Sequence, residues 1–456
     1  MSKPSPVSGF PEFLPEQRFV ELHVLDRLRR TFELHGFAPV ETRAVEPLDQ
    51  LLRKGETSKE VYVLRRLQAD PADDAGAADR SALGLHFDLT VPFARYVLEH
   101  AGKLEFPFRR YQVQKVWRGE RPQEGRFREF TQADIDIVGR DDLPFHHDIE
   151  VARVMAEALS ALSDLLPALR LQVNNRKLIQ GFYTGIGAPD PDAVMRVVDK
   201  IDKVPAEVVA KVLVDEAGLT EGQAEQCLEL AAIRSTDTSF VERVRALGVS
   251  NDLLEEGLRE LVAVLDGCAS LGRDTFAVEA DLRIARGLDY YTGTVFETVM
   301  QGYENLGSIC SGGRYDSLAS DSRTTYPGVG ISLGVSRMLV PLLTKGVLRA
   351  DRSVPSAVLV ALPDEGARTR CEEIAQRLRG RGIATEVAPS PQKFGKQIRY
   401  AERRGIPYVW FPGAAATDQV KDIRSGVQVD ADAATWTPPA DDLTPTIVSQ
   451  PAEEHS

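Results

Sequence analysis

Residues 286–297 read Arg-Gly-Leu-Asp-Tyr-Tyr-Thr-Gly-Thr-Val-Phe-Glu. Arg286, Asp289, Tyr290 and Tyr291 crowd the head of a β-prone run, Thr292 to Glu297, which sets charged and hydrogen-bonding groups beside an apolar strand. A tyrosine on a strand is ordinarily half-buried packing. A core strand gains nothing, however, from an arginine and an aspartate around a glycine, so the block reads as the floor of a polar small-molecule site. A second loaded stretch is Arg118-Gly119-Glu120-Arg121-Pro122, followed by Arg126, Arg128 and Phe130. Arginine offers a fixed fork of donors that matches phosphate oxygens, and a guanidinium facing an aromatic ring can sandwich a purine. Arginines in a loop are usually only solvated, but the following residues Gln132, Asp134 and Asp136 keep polar groups where a core strand should be apolar.

Elements must hold these groups. Alternation predicts a strand over Phe108 to Val116 and another at Ile135 to Val138, with Gly119 to Arg128 as the loop between them. Leu85 to Thr90 and the apolar pattern to Leu98 fit a strand and then a helix. Apolar spacing at Phe19, Leu22, Leu25, Leu28 and Phe32 predicts a long helix over residues 16–35, and residues 148–166 predict another. The Ala- and Asp-rich Asp70 to Ala82 reads as an exposed hairpin or loop. Residues 190–275 carry mostly helical patterns, and strand character returns at Phe276 to Ile284, Thr292 to Val299 and Gly328 to Leu333. After Val347 to Pro355, strands at Ala357 to Leu362, Ile383 to Val387 and Tyr408 to Phe411 alternate with helices at Asp364 to Arg381 and Lys396 to Arg404, implying a small separate α/β domain. Beyond Val429 the Ala, Asp, Pro and Thr content predicts a disordered tail.

A chain of 456 residues exceeds one ordinary core. No apolar run is long enough to span a bilayer and no signal-like stretch follows the start, so a cytoplasmic protein with no membrane partner is expected. Cys227, Cys268, Cys310 and Cys371 lie far apart with no Cys-x-x-Cys pair, which speaks against a zinc site or a disulfide framework. The formal net charge is −13, yet residues 109–128 hold Arg109, Arg110, Lys115, Arg118, Arg121, Arg126 and Arg128 against only Glu120 and Glu124. That local surplus could meet phosphate.

These strings together resemble the histidyl-tRNA synthetases, a family of class II aminoacyl-tRNA synthetases, from about Phe10 to about Val429. Phe108 to Gly139 resembles class II motif 2, with Arg118 and Glu120 at its Arg-x-Glu core. Gly328 to Arg337 resembles motif 3, and residues 286–297 with Ser311-Gly312-Gly313-Arg314-Tyr315-Asp316 resemble the two histidine signatures of the family. The resemblance implies a class II antiparallel sheet flanked by helices, in all an α/β (α+β) fold. Its parts would be a catalytic core in two pieces (1–175 and 276–345), a mostly helical insertion (176–275), an anticodon-binding α/β domain (354–430) and a disordered tail (431–456).

The resemblance also implies roles. Asp88, Leu89, Thr90, Arg118, Gln132, Asp136, Arg286, Tyr290 and Tyr291 would bind histidine, whose imidazole and ammonium need oriented acceptors. Arg118 and Arg286 would serve catalysis at the α-phosphate of ATP, with Glu120, Phe130 and Arg337 around adenine and Mg²⁺ on the outer phosphates. Arg121, Gln123 and Arg126 would face the acceptor stem of tRNA(His), and Lys396, Arg399 and Arg403 its far end. A homodimer is implied, although Arg43 stands where motif 1 normally carries proline. Motif 3 ends in Ser336-Arg337 where Glu-Arg is usual, and Phe87-Asp88-Leu89-Thr90 resembles the archaeal and eukaryotic form. The alternative is a synthetase-like regulatory subunit of ATP phosphoribosyltransferase. Such relatives usually degrade the 286–297 string and lack the carboxy-terminal domain.

Overall fold

The computed structural model describes residues 5–52, 60–67, 82–201, 204–284, 291–320, 323–413 and 417–449. The chain forms two compact units, Met1–Pro11 with Leu25–Pro341 and Glu12–Val24 with Leu342–Ser456. Among the described residues the first unit is built on a nine-stranded sheet. Its strands run in the order Ala38–Pro39, Phe108–Trp117, Glu129–Val138, Thr325–Gly334, Cys310–Ser320, Tyr291–Met300, Leu169–Asn175, Phe276–Asp281 and Arg234–Ser235. The centre is antiparallel, and the pairs of Ala38–Pro39 with Phe108–Trp117 and of Leu169–Asn175 with Phe276–Asp281 are parallel.

Register sorts the side chains between the two faces, because successive residues of a strand point opposite ways. One cross-sheet row is Ile135, Ile331, Gly312, Phe296, Val173 and Ala280, all apolar. This face is buried beneath helices His146–Ser160 and Asp252–Cys268. The adjacent row is Gln112, Asp134, Ser332, Ser311, Glu297, Gln172 and Glu279, an unbroken polar line on the other face. An apolar face under helices leaves the polar face for a site.

Several expectations shift in detail. The helix placed at 148–166 is His146–Ser160, and the strand placed at 135–138 starts earlier, as Glu129–Val138, which brings Gln132 and Asp134 into the sheet. Leu169–Asn175 and Cys310–Ser320 were not expected as strands. Cys310–Ser320 begins Cys-Ser-Gly-Gly, poor in β-formers, and cross-strand packing overrides that local preference. The described residues of 176–268 are mostly helical, and four of their helices open with side-chain caps from Asn175, Asp190, Thr220 and Asn251. The loop expected at Asp70 to Ala82 lies, apart from Ala82, outside the described residues. No helix among the described residues is long and apolar enough to cross a membrane.

The second unit carries a five-stranded sheet in the order Thr385–Val387, Val358–Val360, Tyr408–Phe411, Asp418–Asp422, Gln428–Ala431. Helices Arg368–Gly380 and Phe394–Arg404 contribute Leu378 and Ala401 to its core beside Trp410 and Val358. The expectation of disorder from residue 431 is corrected for residues 431–449; residues 450–456 lie outside the described residues. Ile447–Ser449 pairs antiparallel with Leu348–Ala350, Trp436 packs 5.6 Å from Trp410, and Asp442 accepts from the Tyr408 hydroxyl at 2.6 Å. Averaged composition hides such anchors: Ala431 and Ala433 belong to the core, and Trp436 and Leu443 pack against it.

Candidate active site

The floor of the site is the polar face where Glu129–Val138, Thr325–Gly334, Cys310–Ser320 and Tyr291–Met300 meet. Glycines make room on it. A Cβ on Gly330 would fall 2.1 Å from Asp136 Oδ1, one on Gly313 2.9 Å from the Tyr291 ring, and one on Gly328 2.5 Å from the Tyr315 ring. Asp136, Tyr291 and Tyr315 therefore lie flat against backbone that no side chain occupies, and the glycine-rich strings are explained by what rests on them. In the string 311–316 the alternation divides labour. Tyr315 faces the site, while Arg314 crosses to the helical side, where its guanidinium meets Asp148 at 2.6 Å.

A buried polar cluster stands on the floor. Arg110, with no exposed surface, reaches Asp136 at 2.6 Å and Asp134 at 3.9 Å and lies 4.3 Å from the Phe93 ring centre. Tyr315 donates to Asp136 at 2.8 Å, and Gln132 donates to Asp134 at 3.2 Å. Burial pushes the Asp134 carboxyl up, Arg110 and a hydrogen bond from Ser332 oppose this, and the nearby negative charge of Asp88 adds to it. Asp88 itself is buried and accepts from Val91 N at 3.1 Å, fixing the start of helix Thr90–His100. Arg110, Asp134 and Tyr315 were not among the residues assigned from the sequence. In the sequence Arg110 is counted only within the basic surplus of residues 109–128, and its register opposite Asp136 reveals that it faces the site.

The segment before Asp88 is tied to the arginine hairpin: Trp117 N donates to His86 O at 3.0 Å and Arg118 Nε to Phe87 O at 3.0 Å. The Arg118 guanidinium lies 5.2 Å from the Phe130 ring centre, so these two already face each other. Glu120 is held by Arg126 at 3.3 Å and approached by Arg118 at 3.9 Å. At the loop tip Gly125 takes φ +71°, and Arg337 Nε donates to its carbonyl at 2.9 Å while Arg337 Nη1 reaches Ser308 O at 2.7 Å. Arg337 thus pins the loop, leaving Arg121, Gln123 and Arg126 exposed along it. Ser336 accepts from Thr131 N at 2.9 Å, so the residue standing in place of the usual glutamate joins helix Val335–Thr344 to the hairpin.

The same sheet face continues into a cavity of about 650 Å³ lined by Gln123, Arg126, Gln172, Glu279, Glu297 and Ser308, among others. Asp88, Leu89, Thr90, Arg118, Gln132, Asp136 and Tyr291 belong to this one unit. Arg286 and Tyr290 lie outside the described residues. In the second unit, Lys396, Arg399 and Arg403 are exposed on helix Phe394–Arg404, whereas Arg404 is held at 2.7 Å by Glu386. Among the described residues no group of three or more His, Cys, Asp or Glu is arranged to hold a metal ion. A Mg²⁺ arriving with a nucleotide would bring most of its ligands as phosphate oxygens and water.

Residues 9–338 match a family model described as histidyl-tRNA synthetase, and residues 356–432 match one described as anticodon binding domain. The chain is 60% identical over 457 residues to the histidine--tRNA ligase of Cutibacterium acnes, covering 98% of this chain and 99% of that one. It is 59% identical to the ligase of the same name from Micrococcus luteus, again covering 98% and 99%. Among solved structures, the histidyl-tRNA synthetase from Nostoc sp. PCC 7120 superposes with a TM-score of 0.82 at 33% identity, covering 95% of this chain and 98% of that one. An ATP phosphoribosyltransferase regulatory subunit/histidyl-tRNA synthetase from Bacillus halodurans shares the fold, with a TM-score of 0.68 at 20% identity over 84% of this chain and 93% of that one.

Proposed function

The chain belongs to the histidyl-tRNA synthetase family, and from that premise we propose that it activates L-histidine with ATP and transfers it to the 3′ end of tRNA(His). The observation that carries this reading is near-full-length identity of 60% to a histidine--tRNA ligase. The regulatory alternative is set aside, because an anticodon-binding match and the 286–297 string are both present.

In the first step a histidine carboxylate oxygen attacks the α-phosphorus of ATP and pyrophosphate leaves. Negative charge grows on the phosphate oxygens, so preorganised cations dominate the stabilisation. Arg118, fixed by the Phe87 carbonyl, and Arg286 are assigned that task. Phe130 and Arg337 flank adenine, and Glu120, now held by Arg126, accepts from its amino group. Asp88, Leu89, Thr90, Gln132, Asp136, Tyr290 and Tyr291 line the histidine pocket. Such a pocket rejects apolar amino acids by roughly 10⁴-fold or more, since they leave its buried polar groups unpaired. In the second step the terminal adenosine hydroxyl of the tRNA attacks the histidyl carbonyl and AMP leaves. Arg121, Gln123 and Arg126 meet the acceptor stem; Lys396, Arg399 and Arg403 meet the anticodon end.

The proposal includes the division into core (1–175, 276–345), insertion (176–275) and anticodon module (354–430), a homodimer, a cytoplasmic site of action and Mg²⁺ accompanying ATP. Histidine-dependent ATP–pyrophosphate exchange tests it. A folded protein that fails to exchange label refutes the synthetase reading, and exchange without charging of tRNA(His) refutes the transfer step.

A further inference from the structure

Strand Thr325–Gly334 runs antiparallel to Glu129–Val138 as far as the pair Gly334 and Gln132. The same register would next set Val335 opposite Thr131, but the chain turns there into helix Val335–Thr344. A side chain takes over where the ladder stops: the Ser336 hydroxyl oxygen accepts from Thr131 N at 2.9 Å. Both residues are buried, Ser336 at 3% exposure and Thr131 at 7%. On the other side of the helix start, Gly334 N donates to Ile309 O at 2.8 Å. The first turn is thus held from two sides, and Ser336 is the hold towards the hairpin.

The two bonded residues are the chain neighbours of the two walls assigned to adenine: Phe130 precedes Thr131, and Arg337 follows Ser336. The Arg337 guanidinium in turn reaches Gly125 O at 2.9 Å and Ser308 O at 2.7 Å, so a shift of the helix start is passed on to the loop tip. Residue type matters as well. A glutamate, usual at this place in motif 3, carries its oxygens two carbons further from the backbone. To meet the same N–H its helix must stand further off, and it would bring a charge into a buried place. Serine lets the helix come close to the hairpin.

We propose that Ser336 is a positioning residue for ATP: its hydroxyl sets the width of the slot between Phe130 and Arg337 in which adenine is held. A flat base gains fully from stacking only when both faces are in contact, and a gap of about 0.5–1 Å forfeits about a quarter to a half of the dispersion attraction. The inference rests on the assignment of adenine to that slot.

The test follows ATP–pyrophosphate exchange in wild type, Ser336→Ala, Ser336→Cys and Ser336→Thr, each checked for folding by circular dichroism. Alanine removes the acceptor and cysteine weakens it, whereas threonine keeps it. KM for ATP is expected to rise about 3- to 10-fold in the alanine variant, the scale of one neutral hydrogen bond, with KM for histidine within about twofold and the threonine variant near wild type. Inhibition by adenosine, which carries the base, weakens by the same factor as ATP, and inhibition by tripolyphosphate, which lacks it, stays the same. Unchanged KM for ATP in Ser336→Ala overturns the proposal, as do equal weakening of both inhibitors and a threonine variant as impaired as the alanine one. If the alanine variant does not fold, the cysteine variant is judged by the same outcomes; if neither folds, Ser336 serves stability alone and the proposal falls. Phe130→Leu checks the underlying assignment separately: an unchanged KM for ATP there moves adenine out of the slot and takes the proposal with it. Absence of exchange in wild type refutes the synthetase reading instead.

Discussion

At the scale of single residues, the site is made as much by omitted atoms as by functional groups. Gly330→Ala puts a methyl group into the Asp136 carboxylate and 2.7 Å from Ile135 O, so both side chain and backbone must move. A displacement on the order of 1 Å at a reacting centre can cost about 10²-fold, and exchange kinetics of Gly330→Ala are expected to show a loss of that order, mainly in KM for histidine. Arg286→Ala is expected to slow adenylation by about 10²–10³-fold, the effect of removing one preorganised donor, while tRNA binding in a filter assay stays within twofold. Wild-type exchange in that variant would transfer the α-phosphate role elsewhere.

At the scale of elements, alternation in a strand decides which polar residues serve chemistry and which serve stability. Arg314 belongs to a histidine signature, yet it points into the helical face, with Asp148 also accepting from Thr294 at 2.7 Å. Arg314→Met leaves the buried Asp148 carboxylate without its cation, and urea unfolding is expected to show a loss of roughly 3–5 kcal/mol with histidine KM nearly unchanged. In the second unit Arg424 donates to Asp442 at 2.7 Å and holds its carboxyl below the usual range, with burial opposing and Tyr408 assisting. A carboxyl whose folded pKa is depressed adds stability that is whole above its unfolded value of about 3.9 and fades as pH falls through the lower folded value. Arg424→Met is therefore expected to cost about 1 kcal/mol at neutral pH, the pair being partly exposed, and to begin converging with wild type only as pH falls below ~4 towards the lower folded value, in unfolding followed by Trp410 and Trp436 fluorescence. Much of this was legible in the sequence. The periodicities at 108–116 and 408–411 fall on strands, and the polar Gln132 and Asp136 lie on one face of one strand. The Cys310–Ser320 strand and the inward turn of Arg110 were not legible, because both depend on partners far along the chain that local propensity does not see.

At the scale of the whole molecule, a chain of net charge −13 that binds nucleic acid must do so through local basic surfaces. Reversing Lys396, Arg399 and Arg403 together to glutamate is expected to raise KM for tRNA(His) and to flatten its dependence on salt, with pyrophosphate exchange unaltered. Equal KM would remove that helix from the tRNA interface. The pairing of Leu348–Ala350 with Ile447–Ser449 has a consequence for how the protein is made. The later strand leaves the ribosome about a hundred residues after the earlier one, so at about 5–20 residues per second the first waits roughly 5–20 s for its partner. A message broken within that interval yields a complete synthetic sheet attached to an unfinished second unit. No histidine is encoded between residues 351 and 449, so a cell short of this enzyme's own product does not prolong the wait.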